Sequence, residues 1–164
     1  MARVLIVGGG CRGRELAGQL LAAGHAVRIT TRSQSGCEAI EALGAECWIG
    51  TPDRLATLRG ALDGVAVCCW LLGTASGSGD ELQALHTTRL ELFLTQTIDT
   101  TVRGFVYEAS GEGGPSAARE EGEAIAIRLT GRNRIPAAWL REDPRQTEAW
   151  VAAALTAVGS LLAR

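Results

Sequence analysis

Val4-Leu5-Ile6-Val7-Gly8-Gly9-Gly10-Cys11-Arg12-Gly13 is a buried-type strand that runs directly into a glycine turn. The glycines at 8, 10 and 13 have the spacing G-x-G-x-x-G, and a helical pattern follows at once. A turn of this kind makes a dinucleotide site from backbone alone. Gly8 permits the tight turn, Gly10 removes the side chain that would block a pyrophosphate, and Gly13 lets helix and strand pack closely. The free N–H groups and the positive end of the helix then face the phosphates.

Outward from this stretch, strand and helix signals alternate to the end of the chain. Strands are predicted at about 3–7, 26–30, 45–49, 65–72, 104–109 and 135–140. The fourth, Val65 to Leu72, is continuously apolar, as a central parallel strand covered on both faces should be. Helices are predicted at about 13–23, 36–43, from Asp53 to Leu62, from Asp80 to Val102, from Pro115 to Leu129, and from Pro144 onward. Asp80 is read as the cap of the long fourth helix. The pattern predicts an α/β fold, a doubly wound parallel six-stranded Rossmann sheet of order 3-2-1-4-5-6 with helices on both faces. Ligands on such sheets bind beyond the carboxyl ends of the strands, where the order reverses between the first and fourth. Leu72, Gly73 and Thr74 follow the fourth strand on that edge and are read as cofactor-binding.

The chain has 164 residues, enough for one domain that buries roughly 70% of its unfolded surface. A single nucleotide-binding domain over residues 1–164, without a separate substrate lobe, is expected. Net charge is −2 and only seven residues are aromatic, so neither a basic footprint nor a base-stacking platform for nucleic acid is present. All sixteen basic residues are Arg. With no Lys, Schiff-base and ammonium chemistry are excluded. No secretory signal is evident, and the apolar stretch from Ala149 to Ala163 falls short of the roughly 20 residues that span a membrane. The five cysteines, at 11, 37, 47, 68 and 69, form no C-x-x-C pair. Reduced thiols in a cytoplasmic protein are expected.

The end of the second strand reads the ribose. An NAD site places an acid there to accept from the 2′-hydroxyl. This chain has Thr30-Thr31-Arg32-Ser33 instead. An Arg attracts a 2′-phosphate that an acid would repel, so NADP is expected, with NAD the alternative. Thr31 and Arg32 are the candidate contacts, and Arg12 in the glycine loop is expected to approach the same phosphate. Asp53 is placed to accept from the adenine amine or to cap the next helix. Cys11 lies where a cofactor phosphate would pass.

With these residues in hand, the chain resembles an atypical member of the short-chain dehydrogenase/reductase superfamily, similar to its epimerase-like NAD(P)-binding proteins. The resemblance rests on residues 4–13, on Gly24-His25-Ala26-Val27-Arg28-Ile29-Thr30-Thr31-Arg32, and on Leu62-Asp63-Gly64-Val65. It implies hydride transfer between a nicotinamide and a small carbonyl compound. Ser110, after the fifth strand, corresponds to the catalytic Ser. Val7 stands where extended members have the first Gly of G-x-x-G-x-x-G. The Tyr-x-x-x-Lys pair cannot exist, since the one Tyr, Tyr107, lies inside a strand and there is no Lys. A non-catalytic NADP(H) sensor or regulatory module is therefore the alternative to an enzyme.

Other proton donors on the binding edge are Thr74, Ser76, Glu108, Glu112 and Arg141. His25 reads as a turn residue and His86 as a surface or interface residue. Scattered His and Cys give no metal-ligand pattern. Residues 119–123 read as a solvated helix face; Arg132, Arg134 and Arg141 could receive an anion or remain solvated. The four Trp are assigned to packing. In the superfamily, helices such as 80–102 and 115–129 pair two subunits, so a homodimer is expected through Leu82, Leu85, Leu92, Phe93 and Ile98.

Overall fold

Short apolar runs punctuated by glycine give six strands in the computed structural model, which describes residues 1–164. They are β1 (Arg3–Gly8), β2 (Ala26–Thr31), β3 (Glu46–Ile49), β4 (Val67–Leu71), β5 (Gly104–Glu108) and β6 (Ala137–Leu140). All pair in parallel, in the order β3-β2-β1-β4-β5-β6. β4 and β5 are buried along their whole length, which explains the apolar character of β4 and of β5 up to Glu108.

Successive side chains on each strand feed two cores. One face packs Val4, Ile6, Cys69 and Val106 against α1 (Gly10–Ala22), α2 (Cys37–Glu41) and α6 (Thr147–Leu162). The other packs Leu5, Val7, Cys68, Trp70, Phe105 and Tyr107 against α3 (Gly79–His86), α4 (Thr88–Gln96) and α5 (Ser116–Arg132). Trp70 and Trp150 are fully buried, one in each core. No helix is long and apolar enough to cross a membrane.

Several local readings are corrected. The long fourth helix is two helices, broken at Thr87 (φ −124°, ψ −92°), whose hydroxyl donates to the Gln83 carbonyl at 2.8 Å. Its cap is Ser78 rather than Asp80. Ser78 accepts from the Glu81 amide while the Glu81 carboxylate accepts from the Ser78 amide, a closed capping box. The segment after Asp53 forms two 3-10 turns, Leu55–Leu58 and Gly60–Leu62, in place of a helix. Gly60 lies flat under Trp48, where a Cβ would come within 2.9 Å of the ring, and the Thr57 hydroxyl is spent on the Arg54 carbonyl. The closing helix begins at Thr147, after a turn in which Asp143 accepts from the Arg145 amide at 2.9 Å.

The thiol expectation is also corrected. Cys37, at the start of α2, and Cys47, in β3, are joined by a disulfide, leaving Cys11, Cys68 and Cys69 free. Ten residues of sequence separation hid a pair that the β2–β3 crossover brings to a Cα separation of 5.3 Å. Leu82, Leu85 and Phe93 of the expected dimer face belong to the protein's own core, while Leu92 and Ile98 remain exposed.

Candidate functional site

Gly8, Gly9 and Gly10 all have positive φ, at +81°, +84° and +53°. The loop is pinned to β4 by a 2.7 Å bond from the Gly9 amide to the Leu71 carbonyl. The four glycines divide two tasks. A Cβ on Gly8 would come within 2.5 Å of the Leu71 carbonyl, one on Gly9 within 2.8 Å of Gly13 Cα, and one on Gly13 within 3.0 Å of the Gly8 carbonyl. These three allow close backbone packing. A Cβ on Gly10 would meet nothing within 4 Å, so Gly10 alone keeps space clear outside the protein. The first bond of α1 runs from the Gly13 amide to the Gly9 carbonyl, and no protein group accepts from the amides of Gly10, Cys11 and Arg12. Three unused donors, a helix N-terminus and an empty approach fit a diphosphate. Gly9 is a packing residue the spacing rule passes over, although the run of three glycines signals it.

At the end of β2, Thr31 packs its side chain against Gly36, and its carbonyl accepts from the Gly50 amide at 2.8 Å. Arg32 is exposed and lies 3.4 Å from Asp53 Oδ2. Asp53 also accepts from the Thr51 hydroxyl and caps no helix. Residues 31, 32 and 53 thus meet at one corner of the carboxyl edge.

Arg12 does not point to that corner. Its guanidinium turns the other way, 5.0 Å from the centre of the Trp150 ring, with Nη2 donating to Thr74 Oγ1 at 2.8 Å and lying 3.7 Å from Glu108 Oε1. The attraction has a clear source. Glu108 is completely buried at the end of β5, accepting from the Gly73 amide at 2.9 Å and from Trp150 Nε1 at 3.0 Å. Burial raises its pKa, while the Gly73 amide, Arg12 and Trp150 pull it back. Glu108 is therefore sealed beneath the crevice and is not offered to solvent as a proton donor. A carboxylate inside an otherwise apolar strand was the available signal.

Ser110 donates to the Glu142 carbonyl at 2.6 Å, towards the loop after β6. The loops after β4 and β5 are sewn together by a 2.8 Å bond from the Gly113 amide to the Gly73 carbonyl. Gly113 is glycine because a Cβ there would meet the Ala75 carbonyl at 2.6 Å. Beyond this seam is an open cleft of about 530 Å³, lined by Arg12, Thr74, Ser76, Leu82, Glu112 and Arg145, among others. Leu72 and Gly73 are buried behind it, and Thr74 is exposed in it.

His86 is fully buried, a correction to its surface assignment. Its Nδ1 lies 2.8 Å from the Tyr107 hydroxyl, which donates in turn to the Arg119 carbonyl at 3.3 Å. Burial, aided by Arg119, pushes the His86 pKa down to about 4 against a weaker pull from the Leu72 backbone. Burial likewise raises that of Tyr107. Gly122 gives this pair room, so residues 119–123 are only partly a solvated face. Arg141 is paired with Glu123 and holds no free charge for an anion.

The fold is that shared by short-chain dehydrogenases/reductases and NAD-dependent epimerases. A short-chain dehydrogenase/reductase superfamily protein from Agrobacterium tumefaciens with bound NAD superposes with a TM-score of 0.70 at 19% identity, over 85% of this chain and 48% of that one. UDP-glucose 4-epimerase from Thermotoga maritima gives 0.67 at 14%, over 85% and 54%. BdcA from E. coli gives 0.71 at 14%, over 93% and 88%. The chain spans about half the length of the first two. No family model matches the sequence, and no curated protein does.

Proposed function

We propose that this chain binds NADP(H), with the diphosphate on the amides of Gly10, Cys11 and Arg12 and the 2′-phosphate beside Arg32. The observation that carries the reading is the set of acceptor-free amides facing the open space above Gly10. The Arg32–Asp53 pair is largely exposed. Such pairs are worth at most about 1 kcal/mol, so a phosphate dianion displaces the carboxylate. With Arg12 facing the other way, one charge-assisted hydrogen bond from Arg32 sets the preference for NADP over NAD at roughly tenfold.

The cleft beside Thr74 and Arg145 would take a small carbonyl compound, and the cofactor would supply the hydride for an oxidoreductase or epimerase-like reaction. The second reading is a non-catalytic NADP(H) sensor. It is favoured by the Ser110 hydroxyl, whose proton is engaged by the Glu142 carbonyl. A homodimer through the exposed faces of α4 and α5, including Leu92 and Ile127, accompanies either reading.

Calorimetric titration with NADPH and NADH, followed by absorbance at the nicotinamide band against a panel of carbonyl compounds, tests these readings. Binding with turnover supports the enzyme, and binding without turnover supports the sensor. No heat with either nucleotide refutes both. Arg32→Asp should reverse the preference toward NADH, and an unchanged ratio refutes the ribose assignment.

A further inference from the structure

We infer that Cys37 and Cys47 form a thiol–disulfide exchange site that sets the grip of the protein on the phosphorylated ribose end of its nucleotide. The nucleotide effect rests on the NADP(H) reading above; the redox site itself does not.

The position of the bond carries the inference. Cys37 directly follows Gly36, whose backbone lies so close to the Thr31 side chain that no Cβ could be accommodated between them. Cys47 sits in β3 opposite Ile29 of β2, and three residues further on the Gly50 amide donates to the Thr31 carbonyl. The chain then turns to Asp53, which pairs with Arg32. The disulfide therefore joins the two segments that flank residues 31 and 32, the 33–37 turn on one side and the β3–Asp53 connection on the other. Ser33, Gln34 and Ser35 are exposed, and α2 is only five residues long. Apart from the crosslink, this turn is held by the Gly36–Thr31 contact, by the Gly36 amide bond to the Ser33 carbonyl and by Ile40 of α2 in the core.

The chemistry sets this pair apart from the two buried cysteines of β4. Cys68 and Cys69 are buried in β4, and burial raises both thiols, Cys69 to about 12, so neither is a usable nucleophile. Cys47 is half-buried and Cys37 nearly covered, which makes Cys47 Sγ the point of attack. The reductant is a dithiol. One of its thiolates attacks Cys47 Sγ, the S–S bond breaks, and Cys37 leaves as a thiolate that takes up a proton. The second thiolate then attacks the mixed disulfide, releasing Cys47, which is protonated in turn. The dithiol becomes a disulfide and two electrons have passed to the protein. In a reducing compartment such a bond is transient and reports the thiol poise.

The experiment uses the full chain, oxidised with the cyclic disulfide of dithiothreitol, which leaves no stable adduct on the exposed Cys11, or reduced with dithiothreitol. Thiol titration of the denatured protein should count three and five thiols respectively, matching three free cysteines of five. Hydrogen exchange should quicken on reduction across residues 32–46 and stay unchanged across 10–22. The Kd for NADP⁺ should rise about fivefold or more on reduction, the lower end of ordinary site coupling, with a smaller change for NAD⁺. Cys47→Ser should bind as the reduced protein does and ignore dithiothreitol; Cys37→Ser serves as the second variant. Five thiols after oxidation, or identical exchange in both states, overturns the proposal. So does an NADP⁺ affinity independent of redox state. Absence of NADP⁺ binding in both states, with the exchange difference intact, sinks the nucleotide reading and leaves the redox site standing.

Discussion

The two ends of the carboxyl edge are built from different materials. On the α1 side the site is backbone: three left-handed glycines, three free amides and an empty approach. On the β4–β5 side it is side chains laid over one another, with Glu108 under Arg12, Arg12 over Trp150, and glycine loops closed above. Backbone sites depend on which residues have no side chain, and a sequence states that directly. Side-chain sites depend on which of several partners a long residue chooses, which only packing decides.

The largest effect that separates the two ends is expected at Glu108. Glu108→Leu leaves the Gly73 amide, the Trp150 N–H and the Arg12 charge without their shared acceptor. Breaking a buried pair of this kind costs about 3–5 kcal/mol. Chemical denaturation should show that loss; a change below about 1 kcal/mol would mean that Arg12 and Trp150 do not rely on this carboxylate.

His86, the last residue of α3, is buried on the opposite face of the sheet from Trp150, against Tyr107. Its folded pKa of about 4 lies below the ordinary 6.5, so the unfolded chain binds the proton more readily. The stability from keeping it neutral is complete above pH 6.5 and is lost as pH falls from there towards 4. The shift corresponds to roughly 3 kcal/mol. Thermal melts from pH 7 to pH 4 should show this decline, and His86→Gln should flatten it. Parallel curves for the two proteins would remove His86 as the cause.

At the backbone end, Gly10→Ala should cost only about 1–2 kcal/mol of stability, the penalty of a left-handed residue, because no protein atom waits for the methyl. Its effect should fall on the nucleotide instead, with a NADPH Kd raised by roughly tenfold or more, about 1.4 kcal/mol. Wild-type affinity in this variant would separate Gly10 from the diphosphate. Ser110→Ala is expected to do least. It removes one hydrogen bond to Glu142, about 1 kcal/mol, and leaves NADPH affinity unchanged. A large loss of affinity would return Ser110 to the crevice.

Most of the fold was legible because its signals are local. Alternating apolar runs and glycine punctuation gave six strands and their order. Val65–Leu72 announced a central strand by being apolar throughout. Misreadings arose where a local preference met a tertiary partner. The long helical pattern breaks at Thr87, where φ and ψ leave the helical region, and the segment at Gly60, pressed against Trp48, forms 3-10 turns. At the site, Gly8, Gly10 and Gly13 were readable as a loop. The direction of Arg12 was not, since a buried carboxylate 96 positions along the sequence competes for it. His86 carried no mark distinguishing a surface histidine from one bonded to Tyr107.

The sequence by itself determined the sheet, the glycine loop and the basic residue at the end of β2, because chain geometry, missing side chains and a missing acid are properties of single positions. The tertiary structure alone decided that Arg12 lies over Trp150, that Ser110 faces Glu142 and that Cys37 is bonded to Cys47. Each of those is a choice between distant partners, and distance along the chain says nothing about distance in space once the crossovers have closed.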